Sequence, residues 1–260
     1  MSARAAWVAA ATAARRVLAD RGGLVVAGAF YFLVVAVLGT LWRTAAHANG
    51  GQVAGYTGVA LTWYICTSEA AVVSIRTRLI ADIGDDIASG SIATELLRPV
   101  SAVSIRVASE LGAVLPKLGV CAVSGGILAL VAGGAPPNGR ALLLAAPALV
   151  VAVATDILGQ HAFAAAAFWI RDARSAWFLY HKLVFVLGGM LLPLEILPGP
   201  LATAAKAMPF MAMAYAPARL ASGHLEPWLL GLQLVWLVVL GTAAVAAFAA
   251  GERRLQVVGG

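Results

Sequence analysis

Charge is what this sequence has least of. Of its 260 residues only 12% are charged and 62% are apolar, and the mean hydropathy is +0.90. Water-soluble domains carry about 25% charged and about 45–50% apolar residues. So little polar surface could not cover this chain in water, which excludes a soluble enzyme. The apolar content equally excludes intrinsic disorder.

Cysteine is nearly missing. Cys66 and Cys121 both lie in apolar stretches and read as small packing residues rather than a disulfide or metal pair. No group of His, Cys, Asp or Glu has metal-ligand spacing, so no metal site is expected. Lysine is also scarce, and none of Lys117, Lys182 or Lys206 follows a glycine. A Gly-x-x-x-x-Gly-Lys-Ser/Thr phosphate loop is therefore lacking, and the chain is expected to hold no cofactor. An intramembrane serine protease has little support. Ser124-Gly125 lacks the glycine two positions before the serine, and His161 is the sole candidate partner.

What is abundant is long apolar runs. They cover Leu24–Trp42, Gly55–Ile75, Val107–Val131, Ala141–Ile170, Ala176–Leu197 and Pro227–Ala250. At about 20 residues per crossing, these predict an all-α integral membrane protein of six spans and one transmembrane domain over residues 1–260. The fourth run is too long to cross perpendicularly and should tilt or project. Residues 1–21 carry Trp7, Ala11, Ala14 and Leu18 on one face, with Arg4, Arg15 and Arg16 supplying charge. That pattern suits a helix lying in the membrane interface, the alternative being a frayed extension of the first span. No cleavable signal peptide is evident, so the first run is expected to remain.

Residues 192–226 are broken by Pro193, Pro198, Gly199 and Pro200, yet stay apolar through Met208, Pro209, Phe210, Met211 and Met213. They read as a re-entrant or surface-lying helical hairpin outside the fifth span, since irregular backbone near lipid needs shielding. Orientation follows from the basic residues. With the N-terminus inside, 13 of the 18 Lys and Arg face the cytoplasm, namely Arg4, Arg15, Arg16, Arg21, Arg76, Arg78, Arg98, Arg106, Arg171, Arg174, Lys182, Arg253 and Arg254. Only Arg43, Arg140, Lys206 and Arg219 face out, and Lys117 lies within a span. The positive-inside rule then puts both termini in the cytoplasm.

The cytoplasmic loop 76–106 is the most informative segment. Ile80, Ile83 and Ile87 form an apolar stripe among Asp82, Asp85 and Asp86, predicting a short amphipathic helix stopped at Ser89-Gly90. It reads either as a connector resting on the membrane or as a docking element. The stretch Ile87-Ala88-Ser89-Gly90-Ser91-Ile92, followed by Leu96-Leu97-Arg98-Pro99-Val100, resembles the signature of ABC-2-type permeases. More narrowly, it is similar to the six-span branch of about this length that bacteria use for drug and toxic-cation export. Members often carry an acid directly after the second isoleucine, where this chain has Ala93 and delays the acid to Glu95.

The resemblance implies a permease of the bacterial inner membrane. In that family the loop is a coupling helix, so Ile83, Asp85, Asp86, Ile87, Gly90, Arg98 and Pro99 would meet the ATPase. It further implies two ATPase subunits carrying ATP and Mg, and a second permease, homologous or identical. The Pro-rich segment, with Pro193, Glu195, Pro198, Met208 and Phe210, would form an extracellular gate. Lipid is the remaining partner expected, and nucleic acid is not.

Ionisable groups inside spans cost about 2.5–3.5 kcal/mol each. Glu69, Glu110, Lys117 and Asp156 are such groups, accompanied by His161. Glu110 and Lys117 share a helical face but stand about 10 Å apart along the axis, too far for a bridge. Two readings stay open: an ion-pair or hydrogen-bond network locking spans two to four, or a pathway for cationic or amphiphilic substrates lined also by Trp63 and Phe163. A third, an ion- or proton-coupled secondary transporter, would use Glu69, Lys117 and Asp156 directly, although no inverted repeat is visible.

Overall fold

Four of the long helices begin where a side chain closes their first free amides. In the computed structural model, which describes residues 3–92, 101–170 and 173–258, α1 (Ala3–Ala19) leads into α2 (Arg21–Ala48). Asp20 caps α2, its carboxylate accepting from the Gly23 amide at 2.9 Å. A two-stranded hairpin, β1 (Gln52–Val53) against β2 (Tyr56–Thr57), turns the chain through Ala54 and Gly55, both at positive φ. Thr57 then caps α3 (Gly58–Ser74). The short α4 (Leu79–Ala88) follows.

Ser101 caps α5 (Ala102–Gly133) and Asn138 caps α6 (Gly139–Ala164), with Pro116 and Pro147 inside them. A 3-10 turn, Ala165–Phe168, ends α6. Then come α7 (Ala173–Leu187), the short pieces α8 (Gly199–Ala207) and α9 (Tyr215–Ala221), and the final α10 (Trp228–Val258). Two further 3-10 turns, Leu194–Ile196 and Pro209–Ala212, flank α8.

Among the described residues, five helical stretches are long and apolar enough to cross a membrane: Arg21–Ala48, Gly58–Ala88, Ala102–Gly133, Gly139–Phe168 and Trp228–Arg254. The second is central, with 72% of its apolar window buried against 17% for the first and last. α3 therefore forms the middle of the bundle, packed against α2 and α5, while α10 packs on α6. α1 packs along α5 so closely that a Cβ at Gly112 would run into the Ala10 backbone.

The fifth predicted span, Ala176–Leu197, differs from expectation. α7 has 15 residues, about 22 Å of helix, short of the roughly 30 Å hydrocarbon core. Gly189, at φ +68, breaks it. The freed carbonyls do not stay orphaned. Tyr64 Oη donates to Gly189 at 2.5 Å, Ser68 Oγ to Met190 at 3.1 Å, and Trp42 Nε1 to Leu191 at 2.9 Å. Side chains of α2 and α3 thus do what a continued helix would have done, as irregular backbone in apolar surroundings requires.

Candidate functional site

Three places along the bundle carry the polar groups: the α4 end, the middle, and the end around the hairpin. At the α4 end, the apolar stripe predicted for the loop is present. Ile80 and Ile83 are fully buried and Ile87 is 7% exposed, packed toward α6, its 3-10 turn and α7. Of the residues expected to meet the ATPase, Ile83 and Ile87 thus turn inward in this chain. An amphipathic stub beside a bundle lowers its free energy by turning that stripe into its own core. The outward face instead carries Asp85, Ser89, Gly90 and Ser91, with Asp86 partly exposed. Gly90 sits at φ +74 just past the helix end, where an L side chain is disfavoured. Arg98 and Pro99 lie outside the described residues.

Ion pairs fasten this stub from several sides. Arg76 reaches Asp82 at 2.5 Å and Glu110 of α5 at 3.1 Å. Arg106 of α5 reaches Asp86 at 2.6 Å, and Trp177 Nε1 of α7 donates to the Thr77 carbonyl. Glu110, expected along the pathway, is therefore a member of this clamp.

In the middle, Glu69 is 1% exposed and its Oε1 has no hydrogen-bond partner among the described residues. It borders a groove of about 410 Å³. Asp156 is buried differently: its Oδ1 accepts from Tyr180 Oη at 2.5 Å and from Gln160 Nε2 at 3.2 Å. Lys117 is half-buried and, among the described residues, pairs with neither Glu69 nor Asp156. The lock that does form is a hydrogen bond from α7 to α6, through a tyrosine that the charge inventory missed. Phe163 packs edge-on against the same Tyr180 ring at 5.0 Å. Trp63 donates to the Gly134 carbonyl at 3.2 Å and borders a separate cavity of about 290 Å³. His161 Nδ1 contacts the Ile157 carbonyl at 2.8 Å within its own helix.

At the hairpin end a denser cluster surrounds Glu195. Its carboxylate accepts from Tyr215 Oη at 2.5 Å and Tyr56 Oη at 2.9 Å, and pairs with Lys206 at 2.8 Å. Arg219 donates to Tyr56 Oη at 2.5 Å and pairs with Glu226 at 2.9 Å. Burial pushes the Glu195 carboxyl up, but the Lys206 and Tyr215 hydrogen bonds and the Arg219 charge outweigh it and hold it at about 2. Burial likewise opposes the Arg219 charge, yet the facing Tyr56, Tyr215 and Glu195 raise its pKa above the ordinary arginine value. Of the other gate residues expected, Pro193 and Phe210 are buried, and Pro198 and Met208 are exposed at the two ends of α8. Tyr56 and Tyr215 were missed because a lone tyrosine in an apolar sequence gives no signal of what it will bond.

Among comparisons with known proteins, the family model for ABC-2 family transporter proteins matches residues 31–259. No curated protein matches the chain.

Proposed function

The chain belongs to the ABC-2 family of transporter proteins, and on that premise we propose that it is the permease half of an ATP-driven exporter of drug-like, amphiphilic or cationic compounds. Family membership implies a multi-pass transmembrane subunit of an ABC transporter that works with ATPase subunits. In the proposed assembly, two such subunits bind ATP and Mg, and a second permease, homologous or identical, completes the pathway. The chain crosses the bacterial inner membrane six times with both termini in the cytoplasm. α7 and the bonded backbone after it form the fifth crossing, and residues 192–226 form the outer gate.

The observation that carries this reading is the fastening of α4. A helix that receives a push must be joined to what it moves. α4 is held to α5 by the Asp86–Arg106 pair, and through Arg76 by Asp82 and Glu110, while its apolar side packs into α6 and α7. Its exposed positions, Asp85, Ser89 and Gly90, are the surface offered to an ATPase groove. A secondary transporter running on Glu69, Lys117 and Asp156 gains no support, since Lys117 pairs with neither acid.

The test is co-purification of the tagged chain in mild detergent with Asp85→Arg beside it. The wild type is expected to retain an ATPase subunit. The variant should insert normally yet lose most of that subunit and of transport. Full ATPase recovery and transport by Asp85→Arg would remove α4 from the coupling role. Ile87→Asp would not serve, because it places a charge in the core.

A further inference from the structure

The groove at Glu69 has a chemistry that the coupling machinery leaves unused. α2 lines it with Gly23, Ala27 and Phe30, α3 with Val72 and Val73, and the broken backbone with Met190. Its walls are apolar apart from Thr77 and one carboxylate, Glu69. Along α2 it runs from Gly23 to Val34, about 16 Å of helix starting near the Arg21 end. A second cavity of about 160 Å³ holds Asp156 and Tyr180 and shares Val72, Ile75, Thr77 and Met190 with the first. The two therefore adjoin over the end of α3.

The other acids that lie in or beside the bundle and are described above have donors. Glu110 has Arg76, Asp86 has Arg106, Asp156 has Tyr180 and Gln160, and Glu195 has Lys206. Glu69 differs: it lines the groove, and its buried Oε1 has no hydrogen-bond partner among the described residues. An uncompensated carboxylate in apolar surroundings is costly and is kept where a ligand compensates it. Arg76, the basic residue of the nearby loop, is already engaged by Asp82 and Glu110.

We infer that this groove binds amphiphilic monocations, with the cationic centre against Glu69 and the apolar body along α2 and α3. The cavity volume lies within the range of small-molecule sites, about 300–1,000 Å³. Val26 and Phe30, on the rim, are 69% and 56% exposed on the outer face of α2, so access is lateral, from the lipid, rather than from water. The inference rests on the exporter reading and names the substrate class of its pathway.

The probe is tetraphenylphosphonium, added to the full chain in lipid nanodiscs, with neutral tetraphenylmethane as its control. Glu69→Gln keeps the shape and removes the charge; it is expected to weaken the cation about tenfold and leave the neutral compound unchanged. Ala27→Phe, which fills the groove, is expected to weaken both. Unchanged cation binding in Glu69→Gln would overturn the assignment. So would a disulfide crosslink between two copies carrying Val26→Cys, since the groove would then be a seam between permeases. Failure of the exporter reading shows up separately, as no ATPase recovered with the wild type.

Discussion

The two ends of the molecule both gather charge, but they gather it differently. Around Glu195 the pairs are enclosed: Arg219 and Glu195 side chains are 14% and 19% exposed, and two tyrosine hydroxyls complete the cage. At the α4 end Arg76 is 53% exposed, so water screens its pairs with Asp82 and Glu110. Exposed pairs contribute roughly 0–1 kcal/mol, whereas breaking a buried pair costs about 3–5 kcal/mol. The hairpin end is therefore cross-braced by charge. The α4 end is held mainly by its isoleucines, and its ion pairs, of which Asp86–Arg106 is the better shielded, add a weaker fastening. Such a division suits a permease whose one end must stay sealed while the other yields to a partner.

The comparison breaks most visibly at Arg219. Arg219→Met leaves Glu195 and Glu226 short of their partner and is expected to cost about 3–4 kcal/mol of stability, read as a large drop in the unfolding temperature in detergent. A drop no larger than that of a surface variant would show that the cluster is not a brace. At the α4 end the order of effects should reverse in kind. Ile83→Ala is expected to cost about 3 kcal/mol by leaving a cavity, and Asp82→Asn only about 0.5 kcal/mol, erased by high salt. Equal effects from the two would overturn the view that packing holds α4.

Acid sharpens the same contrast. The Glu195 carboxyl is held at about 2 in the folded protein against 4.5 ordinarily, so its contribution is complete above pH 4.5. It is lost as pH falls from there through about 2. The stability gap between wild type and Glu195→Gln should accordingly stay flat from pH 5 to 8 and close only below. A gap that varied across that neutral range would assign the titration to another group.

Much of the scaffold was legible in the residues alone. Apolar runs of about 20 residues located all five long helices, since hydrocarbon thickness sets that length directly. Ser89-Gly90 ended α4 where predicted, because a residue past a helix end favours the left-handed region. The break in α7 was hidden: Gly188-Gly189 is compatible with a membrane helix, and only Tyr64, Ser68 and Trp42 waiting at its carbonyls make the break affordable. The stripe Ile80, Ile83, Ile87 was equally visible, but periodicity tells that a face is apolar and not whether it meets a partner or the chain's own core.

Composition and spacing by themselves determined a helical membrane protein, the positions of its helices and a loop helix with one apolar face. These depend on solvent preference summed along the chain. The tertiary structure alone decided which charge meets which: Tyr56 comes to Arg219 across 163 positions and Tyr180 to Asp156 across 24, while Glu69 is left unbonded at Oε1. In a low-dielectric interior that outcome turns on approaches of a few ångströms, and no separation in sequence encodes them.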